Sequence, residues 1–119
     1  MKFCLKEEIQ YWWPVSVSTP HPSRPGSFET STLEMQFRAL NEDEIRDFAA
    51  KSAKLPPDER EKGQHDLMLS AILGWRGVVD ESGQEIPFST TSLHQAFRSA
   101  AFRAGVYAAY HRSISGQDA

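Results

Sequence analysis

The side chains that could do acid–base or metal chemistry are few and scattered in this 119-residue chain. Its four histidines are His21, His65, His94 and His111. A zinc site wants ligands at short fixed spacing, with cysteine partners or a helical histidine pair. None of these spacings fits, and His21 falls among prolines, so the histidines read as solvated or locally hydrogen-bonded. No metal and no cofactor is expected. A nucleophile relay needs Ser or Cys, a base and an orienting acid brought together. Serines are plentiful, yet none stands in a Gly-x-Ser-x-Gly elbow. The lone cysteine, Cys4, lies among two lysines and two glutamates near the chain start and reads as a bystander. Gly74-Trp75-Arg76-Gly77 has too few glycines for a phosphate cradle, and it follows a helical pattern instead of opening one. The expectation is a protein that is not an enzyme, with no catalytic residue.

With catalysis set aside, the residues suited to binding are aromatic. Trp12 and Trp13 adjoin in a strand-like stretch, where successive side chains face opposite sides, so a single core cannot take both. Either one packs inward while the other covers an interface, or each is covered by its own layer; both readings stand. Candidate partner contacts, chosen by residue type and expected exposure, are Trp12, Trp13, Trp75, Phe102, Tyr107 and Tyr110. Charge narrows the partner class. Thirteen basic and sixteen acidic side chains leave a net charge of −3. The densest basic group, Arg98, Arg103, His111 and Arg112, is diluted by alanines. Nucleic-acid binding needs a basic face for the phosphates, and none is evident.

Composition bounds the rest. At 39% hydrophobic and 24% charged, the chain suits one soluble domain with one core. No apolar run approaches the roughly 20 residues that span a bilayer. The first residues turn charged before a signal-peptide apolar region can develop. One cysteine allows no internal disulfide and fits a reducing compartment. These features lead to the expectation of a soluble, intracellular protein without a membrane partner.

The elements that would position the aromatics read as α+β: an N-terminal antiparallel hairpin packed against three or four helices, with a helix-rich C-terminal half. The hairpin is expected over residues 11–38. Tyr11-Trp12-Trp13-Pro14-Val15-Ser16-Val17-Ser18 is aromatic and β-branched, and Pro14 restricts it to an edge position or to pairing beyond that point. Pro20, Pro22, Pro25 and Gly26 make a loop, after which Leu33, Met35 and Phe37 alternate with Glu34, Gln36 and Arg38.

Helices are expected over residues 42–54, 58–74 and 90–114. Asn41 and Glu44 form a capping box, with Leu40 and Ile45 as its hydrophobic staple, and this helix buries Ile45, Phe48 and Ala49, with Ala53 on the same stripe. Glu42, Asp43, Glu44 and Asp47 read as a solvated acidic face. The second helix opens at Pro57-Asp58-Glu59 and carries the stripe Leu67, Met68, Ala71, Ile72 and Trp75, with Gly74 and Gly77 as candidate stops and Gly63 a weak point. Asp80-Glu81-Ser82-Gly83 makes a tight reversal with Gly83 left-handed, within a miniature hairpin or an ordered loop. Ser89 caps the last helical stretch, with Phe88 and Leu93 as its staple. A break near Arg98-Ser99 stays open. Ala100, Ala104 and Ala108 lie on one stripe beside Ala101, Gly105 and Ala109, where another backbone can approach. This approach reads as internal packing first and as a hint of a homo-oligomer second. The end, from Ser115 to Ala119, is expected to fray.

The stretch Ile72-Leu73-Gly74-Trp75-Arg76-Gly77-Val78-Val79-Asp80-Glu81-Ser82-Gly83-Gln84-Glu85-Ile86-Pro87-Phe88-Ser89 resembles one carried by the tail assembly chaperones of long-tailed bacteriophages. The shared features are an apolar helix ending in Gly-Trp, a Gly-Val-x-Asp turn with a glycine, and Pro-Phe-Ser opening the next helix. Leu93 and Phe97, Tyr107 and Tyr110, the junction from Phe37 to Glu44, and the Trp-Pro-Val strand with its Pro/Gly loop are similar too. The resemblance covers roughly Trp12 to Ile114. It implies a non-enzymatic assembly chaperone in the bacterial host cytoplasm, absent from the mature virion, that binds the tape measure protein. It also implies self-association, a longer frameshifted form, and a tail tube protein among the partners. The alternative from another class is a structural tail or head-tail completion protein retained in the virion.

Overall fold

The computed structural model describes Lys2, Phe3, Leu5 and residues 8–116. Cys4 and Gln117–Ala119, the last three residues of the end expected to fray, lie outside the described residues. The elements run β1 (Gln10–Pro20), β2 (Phe28–Arg38), α1 (Glu42–Ser52), α2 (Pro57–Ser70), β3 (Ile72–Arg76), α3 (Thr90–Ala96) and α4 (Ala100–Ser115). The strands form one antiparallel sheet in the order β1-β2-β3. The expected α+β architecture is present, with a third strand added to the hairpin.

Alternation sets the two faces of that sheet. Val15, Val17, Leu33, Met35 and Phe37 point to one side and are buried, while Ser16, Ser18, Thr32 and Glu34 point to the other and are exposed. Pro14 sits opposite Glu34 in full register, which the ladder tolerates because β1 is an edge strand. The distal half of the hairpin extends past the helices; residues 28–32 are all exposed, and Phe28 is 69% exposed. The radius of gyration, 16.0 Å, accordingly exceeds the roughly 13.5 Å of a compact chain this long.

α4 lies across the buried face of the sheet. Gly105 makes this possible: a Cβ there would stand 2.5 Å from the Ser16 carbonyl oxygen and 3.2 Å from Val17 Cγ2. The helix buries Phe102, Val106, Ala109 and Tyr110 against the sheet. The stripe through Ala101, Gly105 and Ala109 is thus spent on internal packing, whereas Ala100, Ala104 and Ala108 are exposed. The helical stretch after Ser89 does break: α3 ends at Ala96, and Ser99 caps α4 through the Phe102 amide.

The second helix is shorter than expected. α2 stops at Ser70, and residues 72–74, expected as its end, belong instead to β3. Met35 pairs with Trp75, Gln36 with Gly74 and Phe37 with Ile72, with a bulge between Gln36 and Phe37. The spacing of Leu67, Met68, Ala71, Ile72 and Trp75 fits one helical face, but the last two reach the core by strand pairing. A short apolar run satisfies either period, and the free edge of β2 decided between them. Beyond β3, Gly83 adopts φ +86°, and Val79 and Glu85 form a single bridge, so the reversal is a one-bridge hairpin. Asp80 organises it by accepting from the Ser82 amide at 2.9 Å, the Ser82 hydroxyl at 2.7 Å and the Gln84 amide at 3.1 Å. These bonds, the Ser82 hydroxyl foremost, hold its carboxyl below the usual range.

Candidate functional site

The site begins with the end of β2. Arg38 donates to both carboxylate oxygens of Glu44 at 2.9 and 2.8 Å, and its Nε donates to the Ser70 carbonyl at 2.7 Å. Glu44 also completes the expected capping box with Asn41. One guanidinium therefore clips the start of α1 to the end of α2. The Glu44 carboxyl is lowered chiefly by its hydrogen bonds from Arg38, and the Arg38 guanidinium is raised by the same contact.

Beyond that clip α1 is loosely held. Its residues are all half-buried or exposed, although its apolar stripe is clear. Ile45 is 47% exposed, Phe48 is half-buried, and Ala49 and Ala53 are exposed. The expectation that these residues are buried is corrected, because their stripe faces a groove and not a filled core. Phe48 has one firm seat on α2 at Gly63, where a Cβ would come within 3.3 Å of the ring. Gly63, expected only to weaken α2, gives the ring its seat.

The groove between α1, α2 and α4 encloses about 410 Å³. Ile45 and Phe48 form one wall, Leu67, Met68 and Tyr110 the floor, and Tyr107, His111 and Ile114 the other side. Tyr107 is fixed there, with its hydroxyl donating to the Gln64 carbonyl at 3.2 Å and lying 3.0 Å from His65 Nδ1. Burial raises the Tyr107 phenol above its ordinary pKa. A second groove, about 540 Å³, adjoins the first across Leu40 and Ile114 and is lined by Ile9, Tyr11, Trp12 and Trp13. The Tyr11 hydroxyl meets Ser113 Oγ at 2.7 Å, which pins the end of α4 to β1, and burial raises the Tyr11 phenol. Together the grooves make one apolar surface on which Ile9, Ile45 and Ile114 are each at least 44% exposed.

The six aromatic candidates separate cleanly. Trp12 and Trp13 line the second groove, and Tyr107 and Tyr110 line the first. Trp75 and Phe102 lie at the opposite end of α4 and line neither. The selection by expected exposure is corrected for three of them: Trp75, Phe102 and Tyr110 are 7%, 9% and 5% exposed. Each is locked in edge-to-face ring pairs, Trp75 with Phe88 at 5.4 Å and Phe102, and Tyr110 with Phe37 at 5.4 Å. Trp75 also donates to the Ile86 carbonyl at 2.8 Å, and the Tyr110 hydroxyl accepts from the Leu40 amide at 2.9 Å. Trp12 and Trp13 do face opposite sides. Trp12 is 39% exposed on the outer face, where Arg76 stacks on its ring at 4.1 Å. Trp13 is half-buried, and its indole N–H is buried without an acceptor among the described residues.

Ile45, Phe48, Leu67 and Ile114 were missed as site residues. The amphipathic stripe of α1 was the available signal, but a stripe alone does not say whether its own chain covers it. Among the described residues no three metal-ligating side chains cluster, and no helix is long and apolar enough to cross a membrane. The chain matches no known family, no curated protein and no solved structure.

Proposed function

We propose that this protein is a non-enzymatic assembly chaperone of a long-tailed bacteriophage, acting in the host cytoplasm to keep the tape measure protein soluble before the tail tube forms around it. The observation that carries the reading is α1, an amphipathic helix whose apolar stripe stands open over a groove. An amphipathic client helix would lay its apolar face into such a groove, anchored at residues three and four apart. A long helical client with exposed stripes is the kind of partner that needs this cover. The resemblance of Ile72–Ser89 and its flanks to tail assembly chaperones names the client.

The rigid and the open parts divide the work in this account. β3 and the Asp80 turn, which carry the resemblance, hold Trp75 and Phe88 in place and so support α4. Leu40, Ile45, Phe48, Tyr107 and Ile114 then present the surface that meets the client. Co-expression with the tape measure protein of the same phage, followed by affinity co-purification at moderate salt, tests the reading. Co-elution with a rise in soluble client is expected. A client that stays insoluble beside well-folded protein would overturn it, and finding the protein in purified particles would favour a structural tail component instead.

A further inference from the structure

The hydrogen bonds of β2 fix which backbone groups of β1 are left over. The Arg38 amide donates to the Ala71 carbonyl on the β3 side at 2.8 Å, and the next amide, that of Ala39, donates to the Ile9 carbonyl on the β1 side at 2.9 Å. Amides alternate along a strand, so the odd-numbered residues of β2 bond to β1 and the even-numbered ones face β3. Gln10 and Trp12 stand opposite the even-numbered Arg38 and Gln36. Their own N–H and C=O groups therefore point away from β2, to the free edge of the sheet, and have no backbone partner there among the described residues.

Most of that edge is closed. Pro14 and Pro20 face it without an amide, and α4 lies against the Ser16 carbonyl at Gly105, which leaves Ser18 isolated between Ser16 and Pro20. The open stretch, Gln10 to Trp12, borders the second groove, which Trp12 lines from the outer face of the sheet and Tyr11 and Trp13 line from the inner face. An α-helix cannot use these edge groups. Its middle is bonded internally, and each of its ends offers donors only or acceptors only. An extended chain offers both at every second residue.

We propose that an extended stretch of the client chain adds to β1 at Gln10 and Trp12, next to the client helix that fills the first groove. The inference rests on reading that groove as a client site. Pro14 limits the added ladder to about three client residues and about four hydrogen bonds, too few to hold a free peptide. The stretch must therefore be linked to the helix, and the two grooves adjoin across Leu40 and Ile114, where the client chain would cross. Pairing also sets its chemistry. The central client residue, opposite Tyr11, turns its side chain to the inner face, where Tyr11 and Ile114 line the groove, and its two neighbours turn to the outer face beside Trp12. The segment recognised is thus apolar at its centre and polar on either side.

Hydrogen exchange tests this on the affinity-purified complex of the full chain with the tape measure protein, read residue by residue by mass spectrometry with electron-transfer fragmentation. The Gln10 and Trp12 amides should exchange at least about tenfold more slowly in the complex than in the free protein, while the Ser18 amide on the same edge stays fast. A complex in which Gln10 and Trp12 exchange as in the free protein overturns the strand addition and leaves the groove reading standing. Failure to form any complex overturns both. Gln10→Pro and Gln10→Ala separate the backbone bond from the side chain, because only proline removes the amide, and β2 does not use that amide. At equal circular dichroism Gln10→Pro should bind client about fivefold more weakly than Gln10→Ala. Equal binding by the two variants would also overturn the strand addition.

Discussion

α4 and α1 both carry apolar residues at helical spacing, yet only the set on α4 is covered by its own chain. α4 sinks Phe102, Val106, Ala109 and Tyr110 into the sheet and comes so close at Gly105 that no side chain fits. α1 rests on α2 through Phe48 and on β2 through the Arg38–Glu44 clip, and leaves Ile45 open. The difference teaches that a helical stripe announces a buried surface without saying who buries it. In α4 the partner is the sheet of the same chain. For α1 we propose that it is another protein.

That contrast can be broken or sharpened by substitution. The largest loss is expected from Phe37→Ala, which removes a fully buried ring from the sheet under α4. It should cost about 3–5 kcal/mol in urea unfolding, whereas Ile45→Ala in the groove should cost under about 1 kcal/mol. Equal losses would mean that the groove is part of the core. Next come the glycines. Gly105→Ala drives a Cβ into the Ser16 carbonyl and should destabilise by about 1–3 kcal/mol. Gly63→Ala meets only the edge of the Phe48 ring, which can swing into open space, and the better helix propensity of alanine offsets the crowding. Its stability should stay within about 1 kcal/mol of the parent.

A smaller effect separates the clip from the core by pH. Glu44 has a folded carboxyl pKa below its unfolded value because of its bonds from Arg38. Its stabilising contribution is therefore complete above the unfolded carboxylate range and fades as pH falls through the lower folded value. Glu44→Gln should remove that part of the acid sensitivity and cost about 1 kcal/mol at neutral pH, read as a shift in the urea midpoint. A variant whose stability runs parallel to the parent from neutral pH into the acid range would show that the clip contributes nothing.

Much of the scaffold was legible in the residues. The hairpin, the edge position of β1, the Asn41–Glu44 and Ser89 caps and the left-handed Gly83 all follow from local chemistry that neighbours do not override. β3 was not legible, because Ile72 and Trp75 satisfy helical spacing and only the open edge of β2 turns them into a strand. The exposure expected of half of the aromatic candidates was wrong for a related reason. Trp75, Phe102 and Tyr110 are types that serve equally as core and as contact, and their ring partners come from distant segments. The groove itself depends on what fails to cover α1, and a sequence pattern does not record an uncovered face.

The measurement that tests the central claim most directly compares two double variants in co-expression with the tape measure protein. Ile45→Glu with Phe48→Glu places charge on the groove wall, while Phe28→Glu with Val79→Glu places it on apolar residues outside both grooves. Both pairs should fold, since all four side chains are half-buried or exposed. The account predicts that the groove variant loses the client and the control variant keeps it. A folded groove variant that carries the client as well as the parent does would contradict it.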